Sequence, residues 1–448
     1  MKGRGLPIWV LSLALMMLGS QIVQAASARQ ARQFVPIMSY RVGPYAAGGS
    51  GLAAGYIDYL QLINERDGGV NGVLLAWEEC ETEYNNARGV ECYERLKTKG
   101  ATGTSIVVPL STGIAYSLIE KVARDKIPMI TIGYGRTDTA DGRVFPYVFP
   151  LITTYWSQAT GIVKFLAMKE GNAGGLAGKR IVHLYHDSAY GKEPVPILQE
   201  MSRRYGYELV TIPVAHPGNE QHAQWLRIRH LDPDWVILWG WGVMNPTALK
   251  TAAKVGFPRE KMVGVWWSGA EEDTIPAGAA ATGFLAATYS VSGTDHVVIR
   301  DVMKHVYAKG NGNMKDRSRV GSIYYNRGIV TGIVVVEAIG KAQERFGKRP
   351  LTGEELRWGI ENLHIDDMRL AALGATGFMP PLNVSCADHE GSGQVKFQQW
   401  DGEQWKILTG WIEPHRDLVR ARIEDSAAKY AKENDIVPRN CADERAEK

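Results

Sequence analysis

Short apolar runs that read as strands alternate with amphipathic helix patterns in two successive blocks of this sequence. The first block has predicted strands at 34–38, 73–77, 105–109 and 127–132, and predicted helices at 51–66, 91–99 and 114–125. The second block has predicted strands at 179–185, 208–214, 235–239 and 262–266, and predicted helices at 195–205, 223–230 and 246–255. Such alternation builds a parallel sheet with helices on both faces. We therefore predict an α/β fold with two doubly wound parallel-sheet lobes.

The remainder of the chain has a different pattern. A long helix is predicted at 324–345, and a hairpin at 394–400 and 404–408 turns at Asp401-Gly402. A charged amphipathic helix follows at 418–434. A chain of more than about 300 residues is too large for one hydrophobic core, which also favours two lobes.

The first residues have the pattern of a secretory signal peptide. Lys2 and Arg4 precede an apolar run at 6–18, and small residues follow up to Ala25 and Ala26. The run is shorter than the roughly 20 residues that a membrane-spanning helix needs. We predict cleavage after Ala25, with Ala26 as the neighbouring choice, and a periplasmic mature protein. Its formal net charge of +3 is small and dispersed, which argues against nucleic acid as a partner.

Four cysteines in an exported chain predict two disulfides, for which three pairings exist. We favour the local pairing, Cys80 with Cys92 and Cys386 with Cys441. The alternative is a metal site, but the sequence has no C-x-x-C motif and no histidine cluster near the cysteines. We therefore expect no metal.

Several segments resemble one known family, the branched-chain amino acid (Leu/Ile/Val) class of periplasmic binding proteins that serve ABC transporters. The resemblance begins with GYIDYLQLINERDGGVNG at 55–72, and continues in order through Cys80, Ser111-Thr112-Gly113, and the segments at 127–131, 186–191 and 252–256. It implies a type I periplasmic binding protein fold, in which the chain crosses between the lobes three times.

We place these crossings near Ile152, Phe284 and Pro380. The chain then divides into a signal peptide at 1–25, a first lobe at 26–152 and 285–380, and a second lobe at 153–284 and 381–448. The second lobe includes a C-terminal extension.

Ligands of open parallel sheets bind beyond the carboxyl ends of the strands, where helix N-termini favour anions. Ser111-Thr112-Gly113 follows a predicted strand and opens a helix, so we expect it to contact an anionic group, as the resemblance also implies. Ser and Thr also cap helices, and the two roles are compatible. Tyr134 and Gly135 follow the next strand, where a ring, a hydroxyl and close backbone approach are offered to a ligand.

The second lobe offers aromatic side chains at its strand ends. We expect Tyr190, Trp241 and Trp267 to cover the apolar body of the ligand, and Trp266 to pack in the core. Tyr45 is a candidate to close over the ligand from the first lobe.

Amino acid binders of the resembled family place an acid after the late strand of the second lobe, where it meets the ligand ammonium group. In this chain the position falls in Trp267-Ser268, and the acids come slightly later, at Glu271, Glu272 and Asp273. They could substitute under a shifted alignment. The missing acid and the many aromatic residues favour an apolar or aromatic solute, with or without a carboxylate, over an amino acid.

The prediction for function is an extracytoplasmic solute-binding subunit of an ABC uptake transporter. We expect a monomer that binds a small-molecule solute, works with membrane permease subunits and uses no cofactor. The alternative is a ligand-sensing subunit that presents the small molecule to a membrane receptor or kinase. No G-x-S-x-G or H-E-x-x-H motif occurs, and the glycines at 48–51 lack the Lys-Ser/Thr of a P-loop, so we expect no enzyme.

Overall fold

The computed structural model describes residues 31–442, and the predicted signal peptide lies outside this range. The first α/β block contains four short strands and three helices. They are β1 (Gln33–Ser39), α1 (Ala46–Asp67), β2 (Leu75–Glu81), α2 (Asn86–Leu96), α3 (Thr112–Asp125), β3 (Met129–Ile130) and β4 (Val148–Phe149). β1 pairs with β2 and β3 pairs with β4, both in parallel.

The predicted strand at 105–109 is reduced to one bridge, between Val107 and Met129. Pro109 has no N–H to donate to a ladder, and Leu110 has a positive φ of 51° that ends the extended segment. The segment 105–109 still lies beside β3, as the hydrogen bond from the Ile130 amide to the Val107 carbonyl at 2.9 Å shows.

The second α/β block is built on one seven-stranded sheet, in the order β13-β12-β9-β8-β7-β5-β6. Its strands are β5 (Arg180–His186), β6 (Glu208–Val214), β7 (Trp235–Trp239), β8 (Met262–Gly264), β9 (Leu285–Thr288), β12 (Lys396–Trp400) and β13 (Trp405–Ile407). β5 to β9 are parallel, and the predicted hairpin of β12 and β13 adds two antiparallel strands.

The helices around this sheet are α4 (Tyr155–Lys169), α5 (Ala189–Lys192), α6 (Val195–Tyr205), α7 (His222–Leu231), α8 (Met244–Lys254) and α9 (Glu271–Thr274). Three of them, α6, α7 and α8, match the helices predicted at 195–205, 223–230 and 246–255, whereas α4, α5 and α9 were not predicted. The remaining elements are α10 (Val297–His305), α11 (Ile323–Phe346), α12 (Gly353–Glu361), β10 (His364–Ile365), α13 (Asp367–Ala372), β11 (Leu382–Asn383) and α14 (Arg416–Glu433). The parallel α/β architecture predicted from the sequence is confirmed.

The chain leaves the seven-stranded sheet later than the predicted crossing at Phe284. β9, which begins one residue after Phe284, pairs with β8 on one side and with β12 on the other. The chain therefore remains part of the seven-stranded sheet up to Thr288. β11 pairs with β10 just beyond Pro380, and the chain enters the large sheet again at β12. The other lobe boundaries stay predictions.

Glycines bring α1 and α11 unusually close. A Cβ on Gly55 would lie 2.0 Å from the Tyr325 carbonyl oxygen, and one on Gly328 would lie 2.3 Å from that of Leu52. Both helices are buried along most of their length. α1 begins at Ala46 rather than at residue 51, so the glycines at 48–51 form its first turns.

Both predicted disulfides are confirmed. The Cα atoms are 5.8 Å apart in Cys80–Cys92 and 5.7 Å apart in Cys386–Cys441, within the usual range for a disulfide. The second bond fixes the C-terminal segment that follows α14. Between residues 31 and 442, no helix is both long and apolar enough to cross a membrane.

Candidate functional site

The site lies where the strand order of the second block leaves an opening, facing the first block. β5 is flanked by β6 and β7, so the connection from β5 to β6 runs one way and the connection from β6 to β7 runs back across β5, which leaves a crevice at the carboxyl ends of β5 and β7. Tyr190 and Trp241 follow these two strands. Tyr40 and Ser111 follow β1 and the segment around Val107 in the first block, and they face the same space.

Eleven side chains from both blocks enclose a cavity in this space. They are Tyr40, Leu52, Tyr84, Leu110, Ser111, Thr112, Tyr134, Tyr155, Tyr190, Trp241 and Trp267. Seven of them are aromatic and none is Asp, Glu, Lys, Arg or His. The space between these side chains that no atom fills is about 300 Å³, including the part that is open to solvent.

The start of α3 forms the polar wall of the cavity. Ser111 is the N-cap of this helix, and its hydroxyl accepts from the Ile114 amide at 3.4 Å. The Thr112 hydroxyl lies 3.0 Å from the Tyr155 hydroxyl and accepts from the Gly135 amide at 3.4 Å. The helix N-terminus at this wall favours a negative or strongly hydrogen-bond-accepting group.

Tyr134 lines the cavity, and its hydroxyl is already hydrogen-bonded to the backbone, so its ring is the part left to contact a ligand. Its hydroxyl accepts from the Leu110 amide at 2.8 Å and approaches the Ile130 carbonyl oxygen at 3.3 Å. Burial raises the pKa of Tyr134 well above its ordinary value, so its hydroxyl keeps its proton and the side chain is neutral.

The second block contributes the largest rings. Tyr190 donates its hydroxyl hydrogen to the Gly240 carbonyl at 2.8 Å, and the Trp267 indole donates to the Gly133 carbonyl at 3.0 Å. Trp241 packs edge-to-face on Trp267, with ring centroids 5.5 Å apart. The buried Trp241 indole N–H has no hydrogen-bond partner among the described residues, so a donor at the cavity wall is left unused.

A buried arginine supports the back of Trp267. The Arg327 guanidinium lies 5.1 Å from the Trp267 ring centroid and donates to the Trp266 carbonyl and the Ser290 hydroxyl. Trp266 itself is fully buried, as expected for a core residue. This packing fixes the ring that faces the cavity.

Contacts beside the cavity join the two blocks directly. The Tyr45 hydroxyl lies 2.9 Å from His186 Nε2, and the Val243 amide donates to the Pro44 carbonyl at 3.2 Å. Burial lowers the pKa of His186 to about 4, so its ring is neutral and Nε2 can accept from Tyr45.

Six of the nine residues expected to bind a ligand line the cavity: Ser111, Thr112, Tyr134, Tyr190, Trp241 and Trp267. Three do not. Gly113 packs against the Asn86 side chain, Gly135 reaches the cavity wall only through its amide, and Tyr45 lies beside the cavity against His186.

Five lining residues escaped the sequence analysis: Tyr40, Leu52, Tyr84, Leu110 and Tyr155. Tyr40 and Tyr84 follow β1 and β2, so the strand-end rule that selected Tyr190 could have found them. Leu52 and Tyr155 lie on helices, and no sequence signal separates them from ordinary core residues.

The three acids considered as ammonium partners are engaged elsewhere. Asp273 accepts from Tyr324 and Asn245, and burial raises its pKa to about 7. Glu271 accepts from the Ile323 amide at 2.8 Å, and Glu272 pairs with Arg319 at 2.6 Å. None of the three lines the cavity. The described residues also contain no cluster of three or more His, Cys, Asp or Glu side chains fit to hold a metal.

Comparisons with known proteins agree with this architecture. No curated protein shows significant similarity. A solved structure from the Pseudomonas fluorescens group, described as an ABC transporter permease, is 48% identical, with 92% of this chain and 99% of that chain covered and a TM-score of 0.86.

Two more distant structures share the fold. A branched-chain amino acid ABC transporter protein from Thermus thermophilus with bound valine is 21% identical, with 88% and 99% of the two chains covered and a TM-score of 0.74. A solute-binding protein from R. palustris in complex with benzoate is 18% identical, with 86% and 97% covered and a TM-score of 0.68. The family model described as "Periplasmic binding protein" matches residues 33–404. This chain therefore belongs to the periplasmic binding protein family.

Proposed function

We propose that this protein is the extracytoplasmic solute-binding subunit of an ABC uptake transporter, and that it captures a small apolar or aromatic solute between two lobes. The observation that carries the proposal is the cavity, because both α/β blocks contribute its walls and seven of its eleven side chains are aromatic. The family, and the solved relative described as a solute-binding protein, support a role in solute binding.

The chemistry of the walls supports a ligand with two different ends. Ser111 and Thr112 at the N-terminus of α3 suit an oxygen-bearing, preferably anionic, end. Trp241, Trp267 and Tyr190 suit an apolar or aromatic body. An amino acid also brings an ammonium group, which would lose its hydration without gaining a carboxylate partner. We therefore rank a carboxylate such as benzoate above a zwitterion.

The fold by itself does not choose between these ligands, because solved relatives with this fold hold valine in one case and benzoate in another. The choice rests on the side chains of this chain. A branched-chain amino acid remains the rival ligand class, in keeping with the resemblance described above.

The wider setting follows from the same proposal. The signal peptide is cleaved near Ala25, the mature protein acts as a monomer in the periplasm, and the loaded form delivers its solute to permease subunits. A strain that lacks the gene should then lose uptake of the solute. Normal uptake together with a lost transcriptional response would favour the sensing alternative.

The ligand class is tested by matched compounds that differ in the ammonium group. Thermal unfolding of the mature protein is measured with benzoate, benzyl alcohol, 3-phenylpropanoate, phenylalanine and valine. A ligand at 100 times its Kd stabilises by roughly 2.7 kcal/mol, which is readily measured. We expect 3-phenylpropanoate to stabilise more than phenylalanine. A larger effect of phenylalanine or valine would contradict the aromatic-solute proposal while leaving the solute-binding role intact.

A further inference from the structure

The start of α1 meets the loop that follows β7 at very short range. A Cβ on Gly48 would lie 2.5 Å from Cη2 and 3.0 Å from Cζ2 of Trp241. Pro44 and Val243 are joined by a backbone hydrogen bond beside this contact, and a Cβ on Gly242 would lie 2.7 Å from Cδ1 of Tyr45. The first block therefore meets the second block here without any side chain at residue 48.

The backbone does not require glycine at residue 48. Gly48 lies inside a regular helix, and it is not among the residues with positive φ. Glycine is a poorer helix former than alanine, so helix formation alone would favour alanine at this position. The reason for glycine is steric, because an alanine methyl group at residue 48 would clash with the six-membered ring of Trp241.

Trp241 has little freedom to move away from such a methyl group. Its ring packs edge-to-face on Trp267 at 5.5 Å and on Tyr324 at 5.2 Å, and Tyr84 lies at 6.4 Å. Trp267 and Tyr84 are themselves walls of the cavity. Displacing the Trp241 ring would therefore change the shape of the binding cavity.

We propose that Gly48 is a positioning residue for ligand binding: its missing side chain admits the Trp241 ring to its place in the cavity wall when the two lobes close. Gly48 does not line the cavity, so it acts through Trp241. The inference rests on the proposed function, because it requires a ligand in this cavity and a cleft that closes over it.

The test is a double-mutant cycle between residues 48 and 241, with Kd measured by calorimetry. The probe is benzoate or, if it binds more tightly in the thermal assay, benzyl alcohol. Gly48→Ala should weaken binding at least tenfold in the wild-type background. Trp241→Phe removes Cη2 and Cζ2, the two atoms nearest the added methyl group. In that background Gly48→Ala should have little effect, since the clash has been removed.

Gly340→Ala is the matched control, because it also lies within a helix and its Cβ would meet nothing nearer than Val70 Cγ1 at 3.7 Å. It should leave Kd unchanged. Ligand-free Gly48→Ala should keep the wild-type unfolding midpoint or raise it slightly, because we expect the clash to arise only in the closed form and alanine is the better helix former. An equal loss of affinity in the Trp241 and Trp241→Phe backgrounds, or no loss in either, overturns the inference. If the wild-type protein binds none of the solutes, the proposed function fails and this inference falls with it.

Discussion

At the scale of single residues, the two blocks line the cavity with different chemistry: one contributes the serine and threonine hydroxyl groups and the other contributes the large tryptophan rings. Ser111 and Thr112 lie at the N-terminus of α3, where hydroxyls and backbone amides can meet an acceptor. Trp241, Trp267 and Tyr190 offer mainly apolar surface, since the Trp267 and Tyr190 polar atoms already bond to backbone carbonyls and the Trp241 indole N–H alone of the three lacks a partner among the described residues. Ligand orientation should therefore depend on the first block and ligand shape on the second.

Thr112→Ala should weaken benzoate binding about tenfold or more. A hydrogen bond to a charged group contributes about 1.5–3 kcal/mol, and 1.4 kcal/mol corresponds to a factor of ten in Kd. Thr112→Ser is the matched control, because it keeps the hydroxyl that meets Tyr155 and the Gly135 amide. Calorimetric titration gives Kd for both variants. Wild-type affinity in Thr112→Ala with the fold intact would remove this residue from the site.

His183 should make the protein less stable as the pH falls. Burial lowers its pKa to about 4 from an ordinary 6.5, and its Nδ1 has no hydrogen-bond partner among the described residues. Between pH 4 and pH 6.5, His183 binds a proton in the unfolded state but stays neutral in the folded state. The free energy of unfolding therefore rises with pH in this window.

The measurement is urea unfolding at pH 4.5, 5.5 and 7. A difference of one bound proton between the unfolded and folded states gives a slope of at most about 1.4 kcal/mol per pH unit. His183→Gln removes the titrating ring, so the slope of the free energy of unfolding against pH should fall by up to that amount. The other titrating groups are common to both proteins and cancel in the difference. Identical slopes would mean that His183 accepts a proton in the folded state.

At the scale of elements, periodicity predicted some boundaries to the residue. α6 spans Val195–Tyr205 and β6 spans Glu208–Val214, as the apolar patterns of 195–205 and 208–214 indicated. The pattern failed at 105–109, where Pro109 and the positive φ of Leu110 leave one bridge instead of a strand. It also put the start of α1 too late, because helix propensity disfavours glycine while contacts with Tyr40 and Trp241 favour it.

Gly55→Ala should destabilise the protein by about 1–3 kcal/mol or more, because overpacking forces buried backbone to shift. The added Cβ would lie 2.0 Å from the Tyr325 carbonyl oxygen, where α1 packs on α11. Gly340→Ala on α11 is the control and should be neutral or stabilising by up to about 1 kcal/mol. The free energy of unfolding in urea distinguishes the two. Equal stability of both variants would show that the helices can separate without cost.

At the scale of the whole molecule, the site exists only because distant segments meet. The sequence indicated which strand ends would carry residues that line the cavity, since that follows from the parallel order of the strands. It could not indicate that Tyr155 would reach Thr112, or that Glu271, Glu272 and Asp273 would turn toward α11 and the segment before it. Those placements depend on how the two blocks dock, which no local pattern encodes.

The C-terminal helix α14 adds a further connection between the blocks. The Ser426 hydroxyl donates to Asp138 after β3, and the Arg422 guanidinium donates to Glu200 on α6 at 3.0 Å. The Cys386–Cys441 disulfide fixes the chain beyond this helix. Relative movement of the blocks therefore has to preserve or break contacts of α14 as well as those at the cavity.

Ligand binding should draw the two lobes together, because the cavity walls come from both blocks and close contacts beside it join them. We expect the Tyr45–His186 and Pro44–Val243 hydrogen bonds, which join the two blocks in the structure, to form when the lobes close. Small-angle scattering should therefore give a smaller radius of gyration with saturating benzoate than without it. Tyr45→Phe removes one neutral hydrogen bond, worth about 0.5–1.5 kcal/mol, so Kd should rise roughly 2- to 12-fold. At saturation this variant should still reach the compact radius, since the other contacts and the ligand remain. If the wild-type radius does not change at saturating ligand, the cavity is rigid, and Tyr45 contributes to stability alone.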